Sequence, residues 1–257
     1  MRVPVVQHTT RRQRARRRRA LWSGGELLVT AGLVLLLLVV HQLWWTNREA
    51  KRGAERKVEA LEREWDGGAT GKGGDSGTSV PAATPQPRSG TRDRQQAATA
   101  RQPRPSWSQA YAILVIPRLG LRVPVAEGVS KQDVLNKGYV GHYRGTGQPG
   151  QAGNFALAGH RNTHGEPFRY INRLRAKDLV EVETKTATYT YAVDKTLPQT
   201  SAGDSGVVRP IPRSIVEPGY GYSEPGYYIT LTTCTPEYTS RYRLVVWGKL
   251  VSMRPRT

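Results

Sequence analysis

A chain of 257 residues with a formal net charge of +19 is long enough for one ordinary domain with accessory segments. Its single cysteine excludes an internal disulfide framework. Residues 1–107 hold 20 Lys+Arg against 9 Asp+Glu, and residues 108–257 hold 19 against 11, while all twelve Tyr and both Phe fall at Tyr111 or later, so the folded unit is expected in the second half.

In chain order, the first feature is an arginine run, Arg11, Arg12, Arg14 and Arg16 to Arg19. An apolar segment, Leu27 to Val40, follows at once and ends in Leu43-Trp44-Trp45. Leu27 to Trp45 is 19 residues, enough to cross a hydrocarbon core of about 30 Å. Basic residues before a span and tryptophans after it are a topology signal and an interfacial anchor. Residues 1–20 are therefore expected as a basic cytoplasmic tail and 21–45 as a single-pass transmembrane anchor held in membrane lipid. The bulk of the chain then lies outside the cell. The arginines are read as orientation, not as a nucleic-acid site. No Ala-x-Ala-like site ends the apolar stretch, which argues against a cleaved signal peptide.

Residues 46–65 are charged and helix-forming, with Val58, Leu61 and Trp65 on one stripe. They read as a solvated helical stalk. Residues 66–106 are rich in Gly, Pro, Ser, Thr, Ala and Gln and too poor in large apolar side chains to offset ordering entropy. They read as a flexible linker. The extracellular domain is expected over 107–257.

Within that domain, Ala112–Pro117, Leu121–Val125, Asn154–His160, Tyr227–Thr233 and Arg243–Val251 read as strands from their β-branched and aromatic content. Asp178–Glu183 and Thr188–Val193 alternate as a hairpin does. Ser130–Asn136 reads as a short helix capped by Ser130 and closed by Gly138. Gly141–Gly153 reads as loop, and Leu197–Glu224 as a long proline-rich connection. Short, closely spaced strands with one or two short helices predict a mainly β barrel or sandwich.

Cys234 ends the strand Tyr227–Thr233, where a rigid backbone can still present a thiol to solvent. A cysteine nucleophile needs a neighbouring base or cation. Of the five histidines, His8 and His41 fall on the wrong side or in the membrane. His160 ends an apolar strand, as Cys234 does, whereas His142 and His164 look like loop residues. No Glu follows His160 and Gly165 breaks helix, so His160 and His164 are not read as a metal pair; no metal is expected. A thioester mechanism also needs a donor for its oxyanion. Arg241 and Arg243 both read as lying on the strand that pairs with the cysteine strand, and a spacing of two puts them on the same face, so period alone does not separate them.

Residues 108–257 resemble the sortases, membrane-anchored cysteine transpeptidases of Gram-positive bacteria. Thr230-Leu231-Thr232-Thr233-Cys234 matches the family's Thr-Leu-x-Thr-Cys motif. Asn154–Arg161 resembles its histidine segment, and Arg243-Leu244-Val245-Val246-Trp247-Gly248 its arginine strand. The pattern is nearest to the class E enzymes of actinobacteria. The resemblance implies an eight-stranded β-barrel and the catalytic residues Cys234, His160 and Arg243, with Thr233 lining the substrate site. It implies cleavage of a Leu-Ala-x-Thr-Gly or Leu-Pro-x-Thr-Gly sorting signal between Thr and Gly. The partners implied are secreted proteins with C-terminal sorting signals and a lipid II-like peptidoglycan precursor as acceptor, with no cofactor. The rival readings are an L,D-transpeptidase, which expects Ser-His-Gly-Cys, a papain-like amidase, which reverses the Cys–His order, and a catalytically silent wall-binding module of the same fold.

Overall fold

The β-branched runs close on themselves. A computed structural model describes residues 9–67 and 105–256, with side chains from Trp22 onward. Residues 1–8 and most of the expected linker, 68–104, lie outside the described residues. The chain divides into two units, Met1–Thr46 and Asn47–Thr257. One continuous helix, α1 (Thr9–Gly67), runs through the first unit into the second. In the first unit its large apolar side chains between Leu27 and Val40 are exposed. Among the described residues it is the one helix long and apolar enough to cross a membrane.

Among its described residues the second unit holds eight strands: β1 (Ala110–Ile116), β2 (Leu121–Glu127), β3 (Val140–His142), β4 (Gly153–Ala158), β5 (Leu179–Thr184), β6 (Ala187–Ser201), β7 (Tyr227–Thr235) and β8 (Tyr242–Pro255). They form a closed barrel in the order β1-β2-β3-β4-β7-β8-β6-β5. The pairs β2–β3 and β4–β7 are parallel, and the other six are antiparallel. The short helices are 3-10 turns, including Leu135–Lys137 after the Ser130 turn. There Ser130 Oγ accepts from the Asp133 amide at 3.3 Å and donates to Asp133 Oδ2 at 2.8 Å, so the expected cap forms without a full α-helix behind it.

Two elements depart from the pattern read in the sequence. β6 runs on to Ser201, because two irregularities in its pairing with β8, at Val193/Lys195 and Leu197/Thr200, let it pass Asp194-Lys195 and Pro198 without leaving the sheet. β3 overlaps the start of the segment expected as loop, Gly141–Gly153. Its three residues are too few to show a period, yet they bridge β2 and β4.

The strand parity explains three separate cores. Ala112, Leu114 and Ile116 of β1 point into the barrel with Val125, Phe155, Leu157, Leu231 and Val246. Val245 and Trp247 of β8 point outward and are covered by Val207 and Tyr222 of the β6–β7 connection. Asp204 fastens that connection by accepting from Thr200 Oγ1 at 2.6 Å and the Ile215 amide at 3.1 Å. On the opposite side, Ala110 and Ile113 of β1 point outward as well.

The end of α1 covers that outward face. Val58, Leu61 and Trp65 are buried against Ala110, Ile113, Ala126 and Val134. The stripe read as solvated stalk is therefore core. An apolar stripe and an apolar outer strand face each remove the other's surface from water. The contact is trimmed by charge: Arg122 joins Glu62 and Glu183, and Arg256 bonds Asp66 while its guanidinium lies 5.0 Å from the Trp65 ring centre. Leu61→Ala is expected to destabilise the full chain by about 2–5 kcal/mol in denaturant unfolding. A solvated stalk residue would change it by no more than about 0.5 kcal/mol.

Candidate active site

β7 is the middle of three adjacent strands, and its last residues carry the thiol. Cys234 is register-opposite Arg243 in the antiparallel β7–β8 pair. Directly opposed residues share a face, with Cβ atoms about 4.5–5.5 Å apart. Cys234 is a free, half-buried thiol.

On the other side, β4 runs parallel to β7 in the register Ala158↔Thr232. The pairing continues past the end of β4: the Gly159 amide donates to Thr232 O at 3.1 Å, and Thr233 Oγ1 donates to Gly159 O at 2.8 Å. His160 follows Gly159 directly, so these two bonds fasten the segment that ends in His160 to the last residues of β7. Arg161 Nη1 closes the joint by donating to Cys234 O at 3.1 Å and Thr235 Oγ1 at 2.9 Å. The structure thus pairs Cys234 with Arg243 and ties the segment before His160 to β7.

Register also separates the two arginines. Arg241 precedes β8 and lies exposed over the Tyr242 ring, 5.1 Å from its centre. Arg243 is half-buried within the strand, and its Nη1 donates to Ser240 O and Tyr242 O, both at 2.9 Å. Thr233 is buried, and its hydroxyl is engaged by Gly159 O. It holds the backbone that delivers His160.

His160 is a strongly perturbed group. Burial, then the neighbouring His164 and Lys131, lower its pKa from 6.5 to about 4. The imidazole is therefore neutral at pH 7. Its Nε2 lies 2.9 Å from Asn136 Oδ1, an acceptor, so Nε2 carries the single proton and Nδ1 keeps a lone pair. His164 stacks on the same ring at 5.2 Å between centres.

Asn136 is a site residue that sequence reasoning left as the end of a short helix. Nothing in its spacing points at His160, 24 positions away. His142, expected in a loop, is fully buried at the end of β3. Its Nδ1 meets Glu127 Oε2 and Tyr111 Oη, each at 2.8 Å, and its Nε2 meets Gly147 O at 3.0 Å and Thr146 Oγ1 at 2.9 Å. Every ring nitrogen is engaged, so His142 ties the β3–β4 loop to the barrel.

The closed eight-stranded barrel thus ends β7 in a free, half-buried thiol opposite an arginine. The sortase domain family matches residues 114–251. The chain is 41% identical to sortase E1 of Streptomyces coelicolor over 222 residues, covering 84% of this chain and 53% of that protein. It thus spans about half of that relative's length. It is 36% identical to sortase E2 of the same organism, over 82% of this chain and 74% of that protein. A crystal structure of Streptomyces coelicolor sortase E1 with a tripeptide in the active site superposes with a TM-score of 0.55 at 51% identity, covering 58% of this chain and 92% of that one. Sortase E from Streptomyces avermitilis gives 0.52 at 39% identity, over 59% and 93%. The chain belongs to the sortase family, and its pattern matches the class E members.

The His160 imidazole is expected to titrate near pH 4 by NMR rather than near 6.5. The folded-state value is depressed, so between about 6.5 and 4 the unfolded chain takes this proton first. The contribution of His160 is then to lower stability as pH falls through that window, and His160→Gln removes this contribution.

Proposed function

We propose that this chain is a membrane-anchored cysteine transpeptidase. It cleaves a Leu-Ala-x-Thr-Gly or Leu-Pro-x-Thr-Gly type sorting signal between Thr and Gly. It then passes the protein to an amine of a lipid II-like peptidoglycan precursor. The observation that supports this best is the register: Cys234 opposite Arg243 on one side, and the His160 segment locked to β7 on the other. Helix α1 is the anchor, with the arginine-rich end in the cytoplasm and the barrel outside.

In this reading Cys234 Sγ attacks the threonyl carbonyl carbon. The neutral His160 takes the thiol proton on Nδ1, while Nε2–H stays on Asn136. The Arg243 guanidinium, now turned to the carbonyls of Ser240 and Tyr242, exchanges one of them for the developing oxyanion. Collapse breaks the C–N bond, and the amine leaves with the proton held by His160. The acceptor amine then attacks the thioester, His160 takes its proton, and the departing thiolate recovers it. Thr233 supports the site through Gly159. No cofactor enters any step.

Full-length protein in detergent is expected to cleave a fluorogenic Leu-Ala-x-Thr-Gly peptide and to accumulate a thioester on Cys234 visible by intact mass. Cys234→Ala and His160→Ala bring turnover to background. Arg243→Ala lowers kcat/KM by about 10²–10³-fold, the cost of one oxyanion donor. Normal turnover in Cys234→Ala, or a dead Arg241→Ala beside a normal Arg243→Ala, overturns the assignment. Absence of any acyl-enzyme with both signal types favours the silent module instead. The acid limb of kcat/KM is expected near pH 4, because the base is lost only when His160 protonates.

A further inference from the structure

Both loops that form the His160–Asn136 pair rest on the end of α1. Gly138 follows Asn136 by two residues, and a Cβ built on it would lie 2.7 Å from Ala50 O. Gly165 follows His160 by five, and its built Cβ would lie 3.4 Å from the Lys51 amide nitrogen. Small buried residues, Ala50 and Ala54, let the helix come this close.

A polar relay starts from the same helix. Asn47 Oδ1 accepts from the Gly165 amide at 2.6 Å, and Asn47 Nδ2 donates to Glu166 Oε1 at 3.2 Å. Glu166 Oε2 holds Arg169. Arg169 reaches across to the β7–β8 turn, with Nε 3.1 Å from Glu237 Oε1 and Nη2 donating to Tyr238 Oη at 3.0 Å. One asparagine is thereby connected to the loop after His160 and to the turn after Cys234.

The loop needs such support. His164, Gly165 and Glu166 all have left-handed backbone, with φ of 52°, 84° and 52°. Such residues other than glycine are strained and persist only where their surroundings hold them. Asn47 bonds the amide of the middle residue and the side chain of the third.

We propose that Asn47 is a positioning residue of the active site, and that the Asn47–Trp65 segment of α1 is a strut that holds the His160 loop and the β7–β8 turn in working geometry. Its activity arm rests on the transpeptidase reading; its conformational arm does not.

The test uses the full chain in detergent. Asn47→Ala is expected to speed hydrogen exchange about tenfold in 161–170 and 236–241, the factor that matches one lost hydrogen bond. Exchange in β4 and β7 stays unchanged. The His160 NMR midpoint rises from about 4 toward 6.5 as the loop admits water. kcat falls about tenfold, again one hydrogen bond's worth, with KM little altered. Asn47→Asp combined with Glu166→Gln reverses donor and acceptor while keeping both bonds, and is expected to recover slow exchange and activity that Asn47→Asp alone lacks. Unchanged exchange in both loops, or a uniform rise over the whole barrel, overturns the proposal, as does a double variant no better than Asn47→Asp. If the wild-type chain turns over no sorting peptide, the transpeptidase reading fails, and exchange and titration alone decide whether the strut exists.

Discussion

β7 is hydrogen-bonded along both edges, parallel to β4 and antiparallel to β8, and the site hangs on that double register. Side chains alternate across a strand, so a slip of one residue would turn Cys234 to the opposite face and set it beside neither partner. The lock is redundant. Thr232 Oγ1 donates to Leu157 O at 3.0 Å, Thr233 Oγ1 to Gly159 O at 2.8 Å, and Thr230 Oγ1 to Asn154 Oδ1 at 2.7 Å. The threonines of the Thr-Leu-Thr-Thr-Cys run thus bolt β7 to β4, and the cysteine is placed by what its neighbours hold.

Electrostatics complete the arrangement. A histidine that is partly buried and close to Lys131 and His164 favours its neutral form. A neutral ring keeps one nitrogen lone pair that can accept a proton, whereas an imidazolium has none free. Asn136 then decides which nitrogen is free, since its oxygen can only accept. Burial, tautomer and strand register act on different atoms and agree on one geometry, which is how a preorganised site keeps its reorganisation cost low.

The outer surface of the barrel is less simple than an exposed sheet. β1 and β8 are apolar on both faces, so each needs a second cover, supplied by the end of α1 and by the 203–224 connection. The stretch between Asn47 and Gly67 therefore belongs to the same compact unit as the barrel. The helix that provides core for β1 also meets the two glycines beneath the His160–Asn136 pair. Stability and site geometry share one element.

Much of this was legible beforehand. Most of the strand runs and the long apolar helix follow from local composition, because β-branched runs and a 19-residue span leave few alternatives, whereas the ordered His160, Cys234 and Arg243 motifs were legible through family resemblance. Arg243 could be preferred over Arg241 only by family resemblance; pairing opposite Cys234 supplies the physical reason. Tertiary structure alone decided that Val58, Leu61 and Trp65 face protein, that His142 is buried, that β6 continues past Pro198, and that Asn136 and Asn47 matter. Each of these depends on what lies across space from the residue. Local sequence encodes period and propensity, but a polar side chain's partner 24 or 118 positions away exists only once the barrel has closed.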